Sequence, residues 1–519
     1  MVGATRTNRL AEILGRLSAV TDLADGFPIE KALRTCVLAV RLGERRGLNQ
    51  CELSDVYYAA LLRYLGCTGF AHEEATYYGA GDDVAIRHEM ALADASEPLD
   101  FARRAFAGVG RGAGASRRVV ALAALVGDRQ VPARHVAAQC DAARTLGGVL
   151  GMAPTVVEIL GQVYERADGH GLPEGLPGEA LHEATRIVQV ADIAELFHHR
   201  YGRDQAVAVL SRRAGRQLDA GVTAVFTADA DALLGELEAP SIWDVFLDAE
   251  PEPVVQVPES RVDALAEGFA RYVDLKSVWT LGHSTGVAAL VERASVVWGM
   301  DPAAGRQLRR AGMLHDLGRV AIPNGVWDKP GPLNAAERER ARLHSYHTER
   351  VLAAAPVLAT ESAIAAASHE RLDGHGYHRA VPASMLDDAC RLLAAADVLH
   401  ALGEDRPHRA ALTPAAAADA LSAEAASGHL DRRAVDAVLE AAGHRRDRHR
   451  AAWPAGLSDR EVEVLRLVAR GERNKDVARL LGISARTVQH HVAHVYTKVG
   501  CASRAGMALF AIDHDLLRQ

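Results

Sequence analysis

Six side chains able to ligate a metal ion follow one another in one stretch of this chain: His283, His315, Asp316, His344, His369 and Asp397. Imidazole nitrogen and carboxylate oxygen together suit divalent cations of intermediate softness. The adjacent pair His315-Asp316 lies in AGMLHDLGRVAIP, residues 311–323, at the end of an apolar helical run and just before a Gly-Arg break. A His-Asp pair alone is a weak signal: among 23 histidines the same pair recurs at His514-Asp515 with no companions. The other members each lie in or at the end of an apolar stretch with helical spacing. Several helices can therefore turn one His or Asp inward to a shared centre, which is how helical bundles build metal sites.

The order of motifs carries a resemblance. His283 is followed by His315-Asp316-x-Gly318, by KPGPLN at 329–334 and by His344 with Val351-Leu352 seven positions on. HERxDGxGY at 369–377 and RxxxAAD at 391–397 complete the set. Over about residues 260–443 this resembles the HD-GYP branch of the HD phosphohydrolases. The resemblance implies an all-helical fold and a centre of two or sometimes three metal ions, commonly iron or manganese rather than zinc. It implies hydrolysis of cyclic di-GMP or related phosphodiesters. By motif, His283, His315, Asp316 and Asp397 hold one ion, His344 and His369 a second, and Asp316 bridges. Two ions can activate a water and neutralise the phosphoryl oxygens it attacks. Three departures mark this chain: Ser368 stands where a further histidine is usual, His378 replaces the proline of the signature, and Arg319 replaces a lysine. The first ion keeps its ligand set and the second loses one, so one or two ions are expected. Arg319, a guanidinium fork rather than a point charge, is expected to meet charge growing on the phosphate, with Asp316 at the catalytic centre.

The elements that must position these residues are helices nearly throughout. The chain has 519 residues, 49% apolar and 24% charged, with 5% aromatic, which suits about three globular domains rich in alanine and leucine. No apolar run reaches the ~18 residues a membrane span requires, and no signal pattern opens the chain, so a cytoplasmic protein is expected. The six cysteines (Cys36, Cys51, Cys67, Cys140, Cys390, Cys501) form no CxxC pair and read as reduced thiols. Apolar positions at helical intervals begin early: Leu10, Ile13, Leu14 and Leu17, then Leu33, Val37 and Val40, then Val56, Leu61, Leu62 and Leu65.

An internal repeat links the two halves. Glu165, Arg166, Asp168, Gly169, His170 and Gly171 match Glu370, Arg371, Asp373, Gly374, His375 and Gly376 at an offset of 205. Arg186, Ala191 and Asp192 match Arg391, Ala396 and Asp397 in the same register. Fixed-period self-similarity of this kind is the mark of duplication. In the first copy AALLRYLG aligns with AGMLHDLG at an offset of 252, so Arg63 and Tyr64 stand in place of His315 and Asp316. A guanidinium has no lone pair to offer a metal. The first copy is therefore expected to be a metal-free pseudo-domain with Asp192 an orphan of the old site. It carries an insert near residues 70–116 whose glycine-rich GVGRGAGASRR reads as a flexible linker rather than a phosphate loop.

The C-terminal stretch is of another kind. Ser458-Asp459-Arg460-Glu461 is a capping box opening a helix, a short helix runs from Lys475 to Leu481, Gly482-Ile483 make a turn, and Ser484 caps a third helix to about Val499. Helix, glycine-containing turn, helix is the geometry that sets a recognition helix in the major groove. Val488, Val492 and Val495 face inward, and Arg486, Gln489, His490, Ala493 and Lys498 outward. This stretch resembles the LuxR/GerE DNA-binding domain, which implies phosphate contacts from Thr487 and Lys498 and base-edge contacts from Gln489 and His490, with Arg486 beside them. Ala493 stands where a basic residue is frequent. From Ala455 onward ten Lys/Arg face seven Asp/Glu, a net +3 in a chain of −8. That asymmetry suits one segment made for a polyanion. The final helix, Arg504 to Leu517, is expected to expose Met507, Phe510 and Leu517 and to pair two copies on a two-fold DNA site.

The chain thus reads as all-α: a degenerate HD-GYP-like domain (1–247), a linker (248–260), an HD-GYP-like domain with the metal ligands (261–443), a basic linker (444–456) and a LuxR-type helix-turn-helix (457–519). The expected function is a DNA-binding regulator, dimeric on double-stranded DNA, coupled to a metal-dependent phosphohydrolase that takes a nucleotide or cyclic dinucleotide. Two alternatives stand beside it. Both HD halves serve as non-catalytic ligand sensors, or the protein is chiefly a phosphodiesterase localised by its DNA-binding end.

Overall fold

The computed structural model describes residues 7–77, 81–111, 115–127, 130–444, 453–501, 503–514 and 516–517. The chain is all-α. Among the described residues only Thr7–Arg9 and Gln256–Pro258 form strands, paired antiparallel with Asn8 opposite Val257. The second of these strands lies in the proline-rich stretch 248–260, where the sequence predicts only a linker. All six cysteines are free thiols. No described helix is long and apolar enough to cross a membrane.

Two compact units account for the chain. One comprises Met1–Ser277 with Met313–Ala366, the other Val278–Gly312 with Ala367–Gln519. In the first unit the helices Leu10–Ala24, Lys31–Arg45 and Gln50–Leu61, with the turn that follows the third, bury every apolar position picked out by its spacing, from Leu10 to Leu65, at 5% exposure or less. The third begins with a reciprocal cap: Asn49 Oδ1 accepts from Glu52 N at 3.1 Å, and Glu52 Oε2 accepts from Asn49 N at 2.9 Å.

Around its glycine-rich run the insert near 70–116 is helical. Helices Ala71–Tyr77, Asp83–Met90 and Pro98–Gly108 occupy most of it, and residues 112–114 of the glycine-rich run lie outside the described residues. Apolar packing of Ile86, Ala105 and Val109 gives the insert its own small core.

The duplication is written in local geometry. Helix Lys31–Arg45 and helix His283–Trp298, 252 positions on, are each entered through a left-handed residue: Glu30 at φ 77° and Gly282 at φ 78°. Glu165 accepts the backbone N–H groups of Glu174 (2.8 Å) and Leu176 (3.0 Å), and Glu370, offset by 205, accepts those of Arg379 (2.8 Å) and Val381 (3.2 Å). Each carboxylate thereby closes a turn against which a glycine must lie flat. A Cβ on Gly171 or Gly376 would come within 2.4 Å of backbone atoms of the preceding Glu-Arg pair.

In the second unit four C-terminal helices form a cluster of their own. Helices Asp459–Ala469, Asn474–Leu481, Ala485–Val499 and Arg504–Asp513 surround a core of Val462, Leu465, Val468, Val477, Val488 and Val495. Ser458 and Glu461 make the expected capping box, Gly482 turns at φ 65°, and Ser484 caps the third helix by accepting from Thr487 N at 3.0 Å. Met507 corrects an expectation. It is fully buried beside Ala511 and Leu516, and Phe510 and Leu517 are partly buried against the same core. A four-helix domain this small has few other apolar groups with which to close its interior, so the face expected to be exposed is turned inward.

Candidate metal centre

Two clusters hold the predicted ligands, one in each unit. In the second unit His283 is the first residue of its helix, and Asp397 lies on helix Asp388–Leu402. His283 Nε2 is 3.2 Å from Asp397 Oδ1, and His369 Nδ1 is 3.6 Å from Asp397 Oδ2. On its other side His283 Nδ1 lies 2.9 Å from Glu404 Oε2, while His400 Nδ1 lies 3.1 Å from Glu404 Oε1. Arg406 Nη2 donates to Glu404 at 2.7 Å. His283, His400 and Glu404 thus offer ligand atoms within 4.8 Å of one another. Burial disfavours a charged His283, yet Glu404 and Asp397 outweigh it and raise its pKa to about 10. The ring holds a proton between two carboxylates, a place that suits a cation, so metal uptake there must release protons. The His369 ring stacks on Tyr377 with centroids 4.9 Å apart.

Helix Pro302–Leu314 ends directly before His315 and Asp316, which belong to the first unit. Asp316 Oδ1 is 3.5 Å from His344 Nε2, and Asp316 Oδ2 is 3.6 Å from His315 Nε2. All three side chains are buried. His344 Nδ1 faces Ala341 O at 2.6 Å, which assigns the proton to Nδ1 and turns the Nε2 lone pair toward Asp316. Burial lowers the His344 pKa to about 4, so the ring is neutral, the form that ligates metal. Thr348 fixes the turn: its hydroxyl donates to His315 O at 3.1 Å and accepts from Gly318 N at 2.9 Å. Arg319 Nη1 donates to Asp316 Oδ2 at 2.8 Å and its guanidinium lies over the Trp327 ring. Ser368, where a further histidine was expected from the resemblance, is a buried hydroxyl. In each unit neutral or deprotonatable imidazoles meet buried carboxylates, a donor set that fits a divalent transition metal.

His400 and Glu404 were not singled out in the sequence, although they follow Asp397 by three and seven positions, His400 on the same helix and Glu404 two residues past its end. Glu404 sets the orientation of His283. Replacing it by glutamine is expected to weaken metal affinity 10- to 100-fold, the usual cost of removing such a support, read by metal titration of the apoprotein.

The first copy places other groups at the equivalent positions. Asp192 is no orphan. Arg63 Nε lies 2.8 Å from Asp192 Oδ2, Tyr64 donates to the same oxygen at 2.9 Å, and the Lys31 ammonium pairs with Asp192 Oδ1. Lys31 precedes His283 by the same 252 positions, a correspondence the sequence contained and the search for histidines passed over. Burial alone would raise the Asp192 pKa, but Lys31 and Arg63 hold it at about 2. Two fixed cations sit where the other copy offers histidine.

On the C-terminal domain Arg486, Thr487, Gln489, His490 and Ala493 are all exposed along the third helix. Thr487 shares its hydroxyl with Ser484 at 2.7 Å, and His490 packs edge-on to His494. Lys498 is exposed but donates to Glu461 (2.7 Å) and Gly456 O (2.9 Å). This domain also touches the ligand helix. Ile512 packs where a Cβ on Gly282 would be 3.2 Å away, and Arg470 pairs with Asp405, next to Glu404.

Comparison with known proteins agrees with these motifs. The family model for the HD domain matches residues 135–222 and 267–434, and that for bacterial regulatory proteins of the luxR family matches residues 455–511. The 3'3'-cGAMP-specific phosphodiesterase 3 of Vibrio cholerae is 26% identical over 415 residues, which are 79% of this chain and 89% of that protein. A cyclic di-GMP phosphodiesterase of Pseudomonas aeruginosa is 30% identical over 167 residues, 32% of this chain and 40% of that protein. Among solved structures, the cyclic GMP-AMP specific phosphodiesterase V-cGAP3 of V. cholerae has the same fold over 85% of this chain and 99% of its own, with a TM-score of 0.58 at 22% identity.

Proposed function

Because the chain is an HD-domain protein homologous to cyclic dinucleotide phosphodiesterases and ends in a luxR-family domain, we propose that it is a DNA-binding regulator whose second HD half hydrolyses a cyclic dinucleotide. The observation that carries the hydrolytic part is the state of the buried ligands. His344 is neutral with its Nε2 turned toward Asp316, and His283 is gripped between Asp397 and Glu404. The ligand set expected from the resemblance serves a divalent transition metal, iron or manganese before zinc, with any second ion held more weakly because Ser368 gives no imidazole. The ions, when bound, lower the pKa of water and neutralise the phosphoryl oxygens.

The remaining steps belong to the chain's own groups. Glu404, Ala341 and Thr348 fix the ligand rings and the His-Asp turn before substrate arrives. Arg319 holds Asp316 through one N–H and turns its other donors to a non-bridging phosphate oxygen. Water oxygen adds to phosphorus as the P–O3' bond breaks, the leaving oxygen takes a proton, and a linear dinucleotide results. Incubation of the manganese-loaded full chain with 3'3'-cGAMP and with cyclic di-GMP tests this reading. A linear product from either, lost on treatment with a chelator, is expected; no product from either ends it.

The C-terminal domain binds double-stranded DNA as a homodimer, with the third helix in the major groove. Gln489→Ala is expected to cost about 1–3 kcal/mol on the cognate site and to relax base preference there. Arg486→Ala is expected to weaken all sequences alike and flatten the salt dependence, as loss of a phosphate contact does. Gel-shift titrations on specific and random DNA separate the two. Lys498, paired with Glu461, must leave that partner to reach phosphate, so its replacement is expected to have the smaller effect.

Coupling between the two activities runs through the contact of Ile512 with Gly282 and of Arg470 with Asp405. Metal or substrate that moves His283 also moves the residue before it, on which Ile512 rests. Ile512→Ala is expected to leave hydrolysis intact and to remove any shift in DNA affinity caused by manganese or cyclic dinucleotide. An undiminished shift would place the coupling elsewhere.

A further inference from the structure

A cavity of about 300 Å³ lies inside the first half, at the lower end of the range for small-molecule sites. Phe27, Ile86, Met90, Phe101, Val136 and Leu218 supply much of its wall, and it reaches solvent beside the exposed residues Ala95 and His170. The insert unique to the first copy contributes Glu74, Arg87, Met90 and Phe101, so this space is not simply the remnant of a lost metal site.

Nearly every charge on the wall is answered within the protein. Asp192 has Lys31, Arg63 and Tyr64. Arg166 has Asp168 and Asp94, and Glu165 has two backbone N–H groups. Arg87 spends its donors on the Asp83 carboxylate, on Asp83 O at 3.1 Å and on Cys67 O at 3.2 Å. Acceptor oxygens on four lining residues are left over, Gln217 Oε1 among them. Both oxygens of Asp25 and Oε2 of Glu74 accept no nitrogen or oxygen donor, Asp25 having only the weak donor of the Cys67 thiol, and each residue is 2% exposed. Their nearest cation, Arg87 Nε, is 3.6 Å and 3.4 Å away and already engaged. The third is Gln189, 6% exposed. Its Nε2 serves Glu165 O at 2.7 Å and Val163 O at 3.4 Å, which fixes the amide and leaves Oε1 on the cavity side with no donor. Burial accordingly raises the Glu74 pKa to about 8 and raises that of Asp25. Buried acceptors without donors are costly, and buried polar groups in native proteins are nearly always matched.

We propose that this cavity binds a small organic cation, an amine or amidine on a flat apolar body, whose N–H groups meet Asp25, Glu74 and Gln189 and whose body lies among Phe27, Phe101 and the aliphatic wall. The unmatched atoms are carboxyl and amide oxygens, which the N–H groups of a cation satisfy, drawing Glu74 to its ionised form, and which an anion does not satisfy. Aromatic faces beside buried carboxylates suit a cation with an apolar skeleton. Occupancy would make the degenerate half a sensor distinct from the hydrolytic centre, and the assignment stands whether or not the second half turns over substrate.

The test is calorimetric titration of the full chain with benzamidine, and with benzyl alcohol and benzoate as its uncharged and anionic counterparts. Benzamidine is expected to bind at least tenfold more tightly than either. Glu74→Gln is expected to weaken it at least tenfold while leaving manganese-dependent hydrolysis unchanged. Gln189→Leu, which removes an acceptor without altering charge, and Ala93→Trp, which fills the space, give second readings on different residues, each expected to reduce binding. No binding of benzamidine, equal binding of benzoate, or full affinity in both Glu74→Gln and Ala93→Trp would overturn the assignment.

Discussion

Asp316→Asn is expected to lower the rate of cyclic dinucleotide hydrolysis on the order of 10³-fold or more, a loss comparable with removing a principal electrostatic group from an active site. The reason lies in how many partners that carboxylate serves. It faces His344 Nε2 from one oxygen, and His315 Nε2 and Arg319 from the other. The amide keeps the shape but loses the charge, and its nitrogen then points a donor at Arg319 or at a ring nitrogen. Metal content should fall with activity, and the fold should hold, because the apolar packing of Leu314, Leu317 and Val320 around the turn is untouched. Arg319→Lys makes a useful companion. It keeps a cation but gives up the second donor, so a smaller loss, confined to turnover rather than metal content, is expected.

The second large effect is on stability. Asp192→Ala is expected to destabilise the first half by about 3–5 kcal/mol, the usual penalty for breaking a buried ion pair from one side. The substitution would leave Lys31, 1% exposed, and Arg63 beside each other in the interior with no counter-charge. Lys31→Met is expected to cost much less, since Asp192 keeps Arg63 and Tyr64. Urea unfolding of the two variants measures the difference. The pH dependence has a definite sign. The folded-state pKa of Asp192 is depressed to about 2, below the ordinary carboxylate value near 4, so its stabilising contribution is complete above about pH 4 and disappears as pH falls through about 2. Glu74 acts in the opposite sense. Its pKa is raised to about 8, so the stability linked to it is present below its unfolded value and is lost as pH rises through about 8.

Much of this was legible in the residues, and the exceptions have physical reasons. Apolar positions at helical intervals are a direct consequence of burying one face of a helix, so Leu10 to Leu65 were found by spacing alone. Caps are equally local: Ser458 with Glu461 and Ser484 before its helix are read within four residues. The repeat was visible because Glu165 and Glu370 hold the same backbone turn and no other side chain does that at that length. Lys31 was missed because a lysine announces nothing until the carboxylate it neutralises is found 161 residues away. His400 and Glu404 were missed because they orient a ligand and lie outside the motif.

Met507 was assigned to the wrong side because periodicity identifies a stripe on a helix without saying what covers it. The small core that Ile86, Ala105 and Val109 close within the insert is not signalled by the glycine-rich run beside it. Gly108 ends one helix there and Gly110 turns at φ 66°, so two of those glycines mark a boundary between packed elements.

The account rests on one asymmetry: the second copy offers deprotonatable ligands where the first has built in its own cations. Elemental analysis of the full chain purified with manganese, alongside His283→Ala and Tyr64→Phe, measures that asymmetry directly. The account predicts one to two ions per chain in the parent protein and in Tyr64→Phe, and a marked fall in His283→Ala. A parent protein without metal, or a stoichiometry unmoved by His283→Ala, would contradict it.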